Sequence, residues 1–464
     1  MTAIVFMTKI EGGMNKMSLW KEIIGAETFF WITVAIFAIT YIGMLAFGKI
    51  RPYIALGGAG LILLFGALSI PEALREINWN ILMMLAGTMG TVALFIESKM
   101  PAKMADWIIT KSPNLKWVVI WLSVFAGVVS AFVDNVATVL MIAPIAVTIA
   151  KKLKISPVPS VIAISIASNL QGAATLVGDT TSILLGGAAN MNFLDFFFFK
   201  PEGRSTYGIG MFWIVQVAFL AATAILFFTF RKEKQPISLE EKTEVTDYLP
   251  SVLLVGTILS LILVSFLPNE MHFASWIFHK PENINGILCV VFYAIGVIYY
   301  LLRRKIKMVK ASVHELDWRT LLLLMGLFIV IGGLVKVGAV TRLGEQFSKL
   351  SGSPFIIYTC LVWFSVIVSA VVDNIPYTAT MLPVVAALST AMNMPPYLFY
   401  FGLLSGATLG GNLTPIGASA NIAALGILRK DGYTVKAGTF MKISVPYTLT
   451  AAVVGYVLVW LCWK

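Results

Sequence analysis

The chain has 464 residues, of which 58% are hydrophobic and 12% charged, with a formal charge of +11 and a mean hydropathy of +0.87. That composition leaves too little polar surface to clothe a soluble globule of this length, and it points to an all-α polytopic membrane protein. Cys289, Cys360 and Cys462 sit in apolar runs and His272, His279 and His314 are scattered in loops, which argues against a disulfide framework, a zinc-like site or any resident cofactor.

Residues 1 to 27 carry both signs of charge and no apolar core ahead of a small-residue cleavage site, so no signal peptide is expected. Runs of about 20 apolar residues, enough to cross a hydrocarbon layer of about 30 Å, then recur. Spans are predicted at 28 to 48, 53 to 70 and 79 to 97, followed by an interfacial helix at 100 to 114. The run 116 to 150 is interrupted by Asp134-Asn135, and the run 158 to 189 by the polar, Gly-rich SNLQGAATLVGDTTS. Spans follow at 209 to 230, 248 to 266, 284 to 302 and 318 to 337, then a second interrupted run at 354 to 392, a second broken one at 396 to 428, and a last span at about 440 to 462.

The interrupted stretch occurs twice. Adding 239 carries Trp79, Gly87, Phe125, Asp134, Asn135, Pro144, Pro157, Gly172, Thr175 and Gly178 onto Trp318, Gly326, Phe364, Asp373, Asn374, Pro383, Pro396, Gly411, Thr414 and Gly417 without a gap. This is an internal duplication spanning roughly Trp79 to Ser182 and Trp318 to Asn421. Taking 116 to 150 and 354 to 392 as re-entrant hairpins puts five crossings between the copies, an odd number, so the second is inverted. Both termini then lie outside, and inside loops collect 23 Lys and Arg against 10 outside. The positive-inside rule thus accounts for the basicity without nucleic acid. Inverted repeats with paired interruptions are the sequence pattern of a secondary transporter with its site near the midplane.

A polar break at membrane depth is tolerated only where it is buried in protein or lines a cavity. Asp134 and Asp373 precede helices, where capping alone would suit them, but an ionisable group at that depth is expensive and Ser or Asn would cap as well. With Asp179 they make three carboxylates directed at one site, suited to a cation or a proton and repelling a bare anion. Gly-rich unwound backbone, with Thr175, Thr180, Thr181, Thr414, Ser419 and Asn421 as neutral oxygens, suits Na⁺ or a hydroxylated solute; small residues there would also serve helix packing. Glu97 and Lys336 hold matching positions near span ends and read as snorkelling side chains.

FVDNVATVLMIAP with ASNLQGAATLVGD, and VVDNIPYTATMLP with GATLGGNLTPIGASAN, resemble the ArsB/NhaD branch of the ion transporter superfamily, the P protein-like permeases related to divalent-anion/sodium symporters. The resemblance covers roughly 79 to 190 and 318 to 463. It implies a homodimer of the elevator type in the cytoplasmic (inner) membrane, in contact with lipid. Its moving part would hold the hairpins 116–150 and 354–392 and the broken helices 158–189 and 396–428, that is 116–189 and 354–428. Residues 1–115, 190–353 and 429–464 would supply the scaffold, linking spans and last span. Two departures stand out: the P protein-like Gly-Asp-Pro-Pro-Asn is replaced by Gly178-Asp179-Thr180-Thr181-Ser182, and Gly-Gly before Ala-Ala-Thr by Gln171-Gly172. The related carboxylate carriers have Ser-Asn-Thr at their hairpin tips where this chain has Asp134-Asn135 and Asp373-Asn374.

The candidate substrate- or ion-binding set is Asp134, Asn135, Thr138, Asn169, Thr175, Gly178, Asp179, Thr180, Asp373, Asn374, Thr378, Thr414, Gly417, Ser419 and Asn421. Na⁺ would sit near Asn135 and Asn374, and Asp373, Asp134 and Asp179 are the proton-coupling candidates, with Asp373 the first choice. The leading reading is transport of a small inorganic ion or oxyacid, foremost Na⁺/H⁺ antiport on account of the carboxylates. Arsenite or antimonite efflux comes next and Na⁺-coupled carboxylate symport third. An ion channel could use the same carboxylates. An enzyme is disfavoured, since no His-rich motif or Ser/His arrangement is present.

Overall fold

The computed structural model describes residues 16–201, 205–236, 243–267, 270–273, 276–279, 283–350 and 352–464. Residues 1–15, part of the stretch read for a signal peptide, and 237–242 of the linker between the halves lie outside the described residues. In chain order the helices are α1 Lys16–Ile24, α2 Ala26–Ala46, α3 Arg51–Leu64, α4 Ile70–Glu76, α5 Trp79–Glu97, α6 Met100–Lys111, α7 Leu115–Ser130, α8 Asn135–Lys152, α9 Val158–Gly172, α10 Thr180–Ala188, α11 Met211–Thr229, α12 Leu249–Ser265, α13 Ile284–Leu302, α14 Ile306–His314, α15 Trp318–Lys336, α16 Ala339–Leu350, α17 Pro354–Ser369, α18 Asn374–Ala391, α19 Tyr397–Gly410, α20 Ser419–Lys430 and α21 Ala437–Trp463. Among the described residues, seven of these helices are long and apolar enough to cross a membrane.

The duplication is visible in the backbone. Helices α5, α6, α7 and α8 begin and end at residues 239 short of the corresponding ends of α15, α16, α17 and α18. The left-handed turn residues follow the same register, Lys99 with Gly338 and Lys154 with Asn393. The amphipathic helix α16 is thus the second copy of α6, an element the sequence reading placed only once.

Two differences from expectation have local causes. The span expected over 53 to 70 stops at Leu64, because Gly66 turns left-handed and Ser69 opens a new helix with a capping box closed by Glu72. Between helices, β1 Phe198–Phe199 pairs with β2 Gly208–Ile209, and β3 Glu270–Phe273 with β4 Trp276–His279, both antiparallel. These ladders interrupt an otherwise helical chain only in its connections.

The chain divides into two compact units. Of the described residues, the smaller holds those within 16–82, 317–357 and 379–396. In it α15 lies on α3 at small residues, where a Cβ on Gly326 would stand 2.7 Å from the backbone of Ala55, the close approach that apolar helices use in place of a hydrophobic drive. Phe30, Leu334, Ala339, Val340 and Val384 form its core. Lys336, read as snorkelling, instead donates to Glu72 Oε1 at 2.6 Å.

The larger unit holds residues 83–316, 358–378 and 397–464. Its α9 and α19 are buried from Ser160 to Gly172 and from Leu398 to Gly410, polar side chains included. A Cβ on Gly87, the counterpart of Gly326, would overlap the backbone of Cys289 on α13, so α5 and α15 use the same glycine to seat different partners.

Glu72 also accepts from Ser69 N at 2.8 Å and Ser69 Oγ at 2.7 Å. Its bond from Lys336, then those from Ser69, hold its carboxyl down at about 2, against an ordinary 4.5. A folded-state value below the unfolded one contributes stability that is complete above the ordinary value and is lost as pH falls toward about 2. Glu72→Gln, which keeps the capping box, is therefore expected to cost less than about 1 kcal/mol at pH 7, the range of a half-exposed pair. Glu72→Ala removes the cap as well and costs about 1 kcal/mol more. Thermal unfolding in detergent checks both, and the Gln difference should vanish toward pH 2.

Candidate functional site

The site is built where two hairpin tips meet two helix breaks, all within the larger unit. At the first tip, Asp134 caps α8, its Oδ2 accepting from Val136 N at 3.0 Å and Ala137 N at 3.1 Å. At the second, Asp373 Oδ1 accepts from Ile375 N at 3.1 Å and its Oδ2 from Ser419 Oγ at 3.3 Å. Both carboxylates therefore cap the first turn of their own helices, Asp373 holding the start of α20 as well, and among the described residues no three acidic, His or Cys side chains gather as a metal cluster.

The breaks are fastened to the tips by the same bonds in each repeat. Thr175 Oγ1 donates to Ala131 O and Thr414 Oγ1 to Ala370 O. Ser182 Oγ donates to Gly172 O at 3.1 Å, and its counterpart Asn421 donates through Nδ2 to Gly411 O at 3.0 Å and Thr414 O at 3.1 Å. Asn421 Oδ1 accepts from Ser165 Oγ at 2.6 Å, so the side chain is engaged at both ends. Thr138 donates back to Asp134 O at 3.0 Å. These hydroxyls and amides satisfy backbone that the breaks would otherwise leave bare in an apolar setting.

A buried polar chain joins the tips across both repeats. Asn135 Nδ2 donates to Asn169 Oδ1 at 2.8 Å, and Asn169 Nδ2 to Thr408 O at 2.9 Å. Thr181 Oγ1 donates to Asp179 Oδ2 at 2.8 Å and stands 3.1 Å from Thr408 Oγ1. Since Thr181 spends its one proton on Asp179, Thr408 is the donor in that contact. Asp179, 3% exposed, also takes Thr180 N on Oδ1 at 2.7 Å and Asn374 Nδ2 on Oδ2 at 3.4 Å. It is close enough to Asp134 and Asp373 to feel their charge, while its hydrogen-bond partners are all neutral.

With the amide nitrogens of Asn135 and Asn374 so used, their oxygens face away from these partners. The buried oxygens Thr378 Oγ1, Ser130 Oγ and Asn412 Oδ1 have no partner, and Thr378 stands one turn from Asn374 on the same helix face. Neutral oxygens with free lone pairs beside a carboxylate are ligands for a hard cation. Asn412 Nδ2 donates to Ile166 O at 2.9 Å, so α9, which donates to α19 through Asn169, accepts in return from the break just beyond the end of α19. Ser165, Ser168, Thr408 and Asn412 escaped the sequence reading. Their signal was polar residues at three- and four-residue spacing in otherwise apolar runs, Ser165 with Ser168 and Asn169, and Thr408 with Asn412.

The profile of the citrate transporter family, CitMHS, matches residues 30–402. The chain belongs to the citrate transporter family. An uncharacterized transporter of Mycobacterium tuberculosis is 31% identical over 83% of this chain and 86% of its own length, and the human P protein is 27% identical over 84% of this chain and 54% of its own. Among solved structures, the YdaH transporter of Alcanivorax borkumensis superposes with a TM-score of 0.56 at 14% identity, covering 83% of this chain and 86% of that one. MtrF of Neisseria gonorrhoeae gives 0.52 at 15% identity, covering 86% and 84%. This citrate transporter family protein is thus a polytopic membrane transporter and not an enzyme, and the expected fold class and kinship with P protein-like permeases hold.

The breaks are close-fitted around two glycines. A Cβ on Gly178 would lie 2.7 Å from Gly172 O and 2.8 Å from Ser130 O; on Gly417, 2.7 Å from both Gly411 O and Ser369 O. Gly178→Ala and Gly417→Ala are therefore each expected to cost about 1–3 kcal/mol of stability and to cut transport at least as severely as any hairpin Asn→Ala, read by thermal unfolding and by solute flux in proteoliposomes.

Proposed function

We propose that this member of the citrate transporter family is a secondary active transporter that exchanges an inorganic cation, Na⁺ foremost, for protons. The observation that carries this is Asp179: a carboxylate buried between the two halves of an inverted repeat, bonded to neutral donors and, among the described residues, with no Lys or Arg in ion-pair contact. A buried ionised carboxylate is costly unless a positive charge joins it, and a proton in one facing state and a cation in the other would supply that charge in turn. Asp134 and Asp373 each cap a helix, whereas Asp179 is held only by side-chain and amide donors at the meeting of the repeats, so in this reading Asp179 replaces Asp373, favoured on sequence grounds, as the carrier. Asn135, Asn374 and Thr378 would offer the cation neutral oxygens.

In this reading residues 116–189 and 354–428 move as one body within a homodimer in the cytoplasmic membrane, with both termini outside. A second reading, Na⁺-coupled carboxylate uptake, is favoured by the family's description as citrate transporters. Flux separates the two. Proteoliposomes with an imposed pH gradient would be given Na⁺, Li⁺, K⁺, arsenite, citrate and succinate in turn. Na⁺ or Li⁺ is expected to dissipate the gradient, and Asp179→Asn to slow this at least about tenfold, a loss of about 1.4 kcal/mol or more. Accumulation of citrate with an unmoved gradient would sink the exchange reading.

A further inference from the structure

Donors that converge on a carboxylate are the furniture of a carboxylate-binding site, yet here the carboxylate they hold belongs to the chain. Asp179 receives the Thr180 amide at the start of α10, the Thr181 hydroxyl, and the Asn374 amide arriving from the other repeat. Thr180 and Thr181 stand where the resembling pattern has two prolines, which could supply neither that amide N–H nor that hydroxyl. The counterpart of Asp179 in the second repeat is Ala418, fully buried, and there Ser419 turns to Asp373 instead. The carboxylate is therefore an addition to one half of an otherwise symmetric frame.

We propose that Asp179 is a fixed internal anion: it fills the position that a free carboxylate would otherwise take, so that the site accepts a cation and rejects carboxylate solutes. The inference rests on the cation-exchange reading of the same site. A tethered group competes at an effective concentration of about millimolar or more, and its charge repels a second anion besides. Asp179→Ala would leave the Thr180 amide, Thr181 and Asn374 unpaired around a space the size of the lost carboxylate, a costly arrangement that a small anion can relieve.

The test is chemical rescue, read on the full chain in proteoliposomes with ²²Na⁺ and with ¹⁴C-formate. Wild-type protein is expected to bind Na⁺ with no effect of formate or citrate. Asp179→Ala should bind Na⁺ at least about tenfold more weakly, bind formate directly, and regain Na⁺ affinity when formate is added; citrate, too large for the space, should restore nothing. A folded Asp179→Ala that neither binds formate nor is rescued by it overturns the proposal, as does competition of citrate with Na⁺ on the wild type. If the Ala variant does not fold, isosteric Asp179→Asn decides: loss of Na⁺ binding with no response to formate supports the internal anion, and retained Na⁺ binding overturns it. The two failures are distinguishable. Na⁺ binding that is equal in wild type and variants removes the internal anion but leaves cation exchange standing, whereas a wild type that never binds Na⁺ removes cation exchange and the internal anion with it.

Discussion

A helix that stops inside an apolar layer leaves amides and carbonyls facing nothing, at several kcal/mol for each group left unpaired. This chain stops four times in that way, at two tips and two breaks, and every other feature of the larger unit answers the problem. Thr175 and Thr414 fasten each break to the carbonyl of the adjacent tip, and Ser182 and Asn421 close the break from the far side. Helices α9 and α19 run between them buried on every side, because backbone bonds so placed survive only if neither water nor lipid reaches them. A structure that fixes unwound backbone at such cost gains carbonyls and side-chain oxygens in a place where ordinary helices present only hydrocarbon.

Against that symmetric frame the side chains that differ between the halves carry the chemistry. Asn135 and Asn374 are a matched pair, but the first leans on Asn169 and the second on Asp179. Asn169 corresponds to Thr408 and Asp179 to Ala418, so one half contributes an extra amide and the only carboxylate in the buried chain. The duplication supplied two equivalent scaffolds, and the present polarity of the site comes from substitutions confined to one of them. The reciprocal pair of Gln171 and Gln216, joined by two bonds of 2.9 Å, is a further such departure, placed where the resembling pattern has glycine.

What the sequence could convey was whatever survives translation by 239 residues. Trp79 and Trp318, the two Asp-Asn pairs, the prolines and the glycines declare the repeat, the breaks and the helix ends, since these depend on backbone conformation and spacing alone. What it could not convey is the direction of a side chain. Thr175, Thr414 and Asn421 read as oxygens for a ligand, and the structure shows in addition that they donate to backbone carbonyls of the tips and breaks; Asp134 and Asp373 read as carboxylates directed at one site, and the structure shows in addition that each caps its own helix. Lys336 likewise read as reaching for the interface because Glu72, its partner, lies 264 residues away in the chain. Rotamers and distant partners are settled by packing, and packing has no period to read.

The glycine shared by α5 and α15 has a consequence for synthesis. Gly87 in α5 is complemented by α13 and Gly326 in α15 by α3, so each copy's opening helix rests on a helix that lies outside both copies and far from it in the chain. As the chain leaves the ribosome, α3 waits for α15 and α5 waits about 200 residues for α13, both long-range pairings that are slow to form. The nascent first half must therefore hold its glycine face against lipid or an insertion partner until the second half is made, and severing the chain between the repeats would leave two fragments that mature only in each other's company.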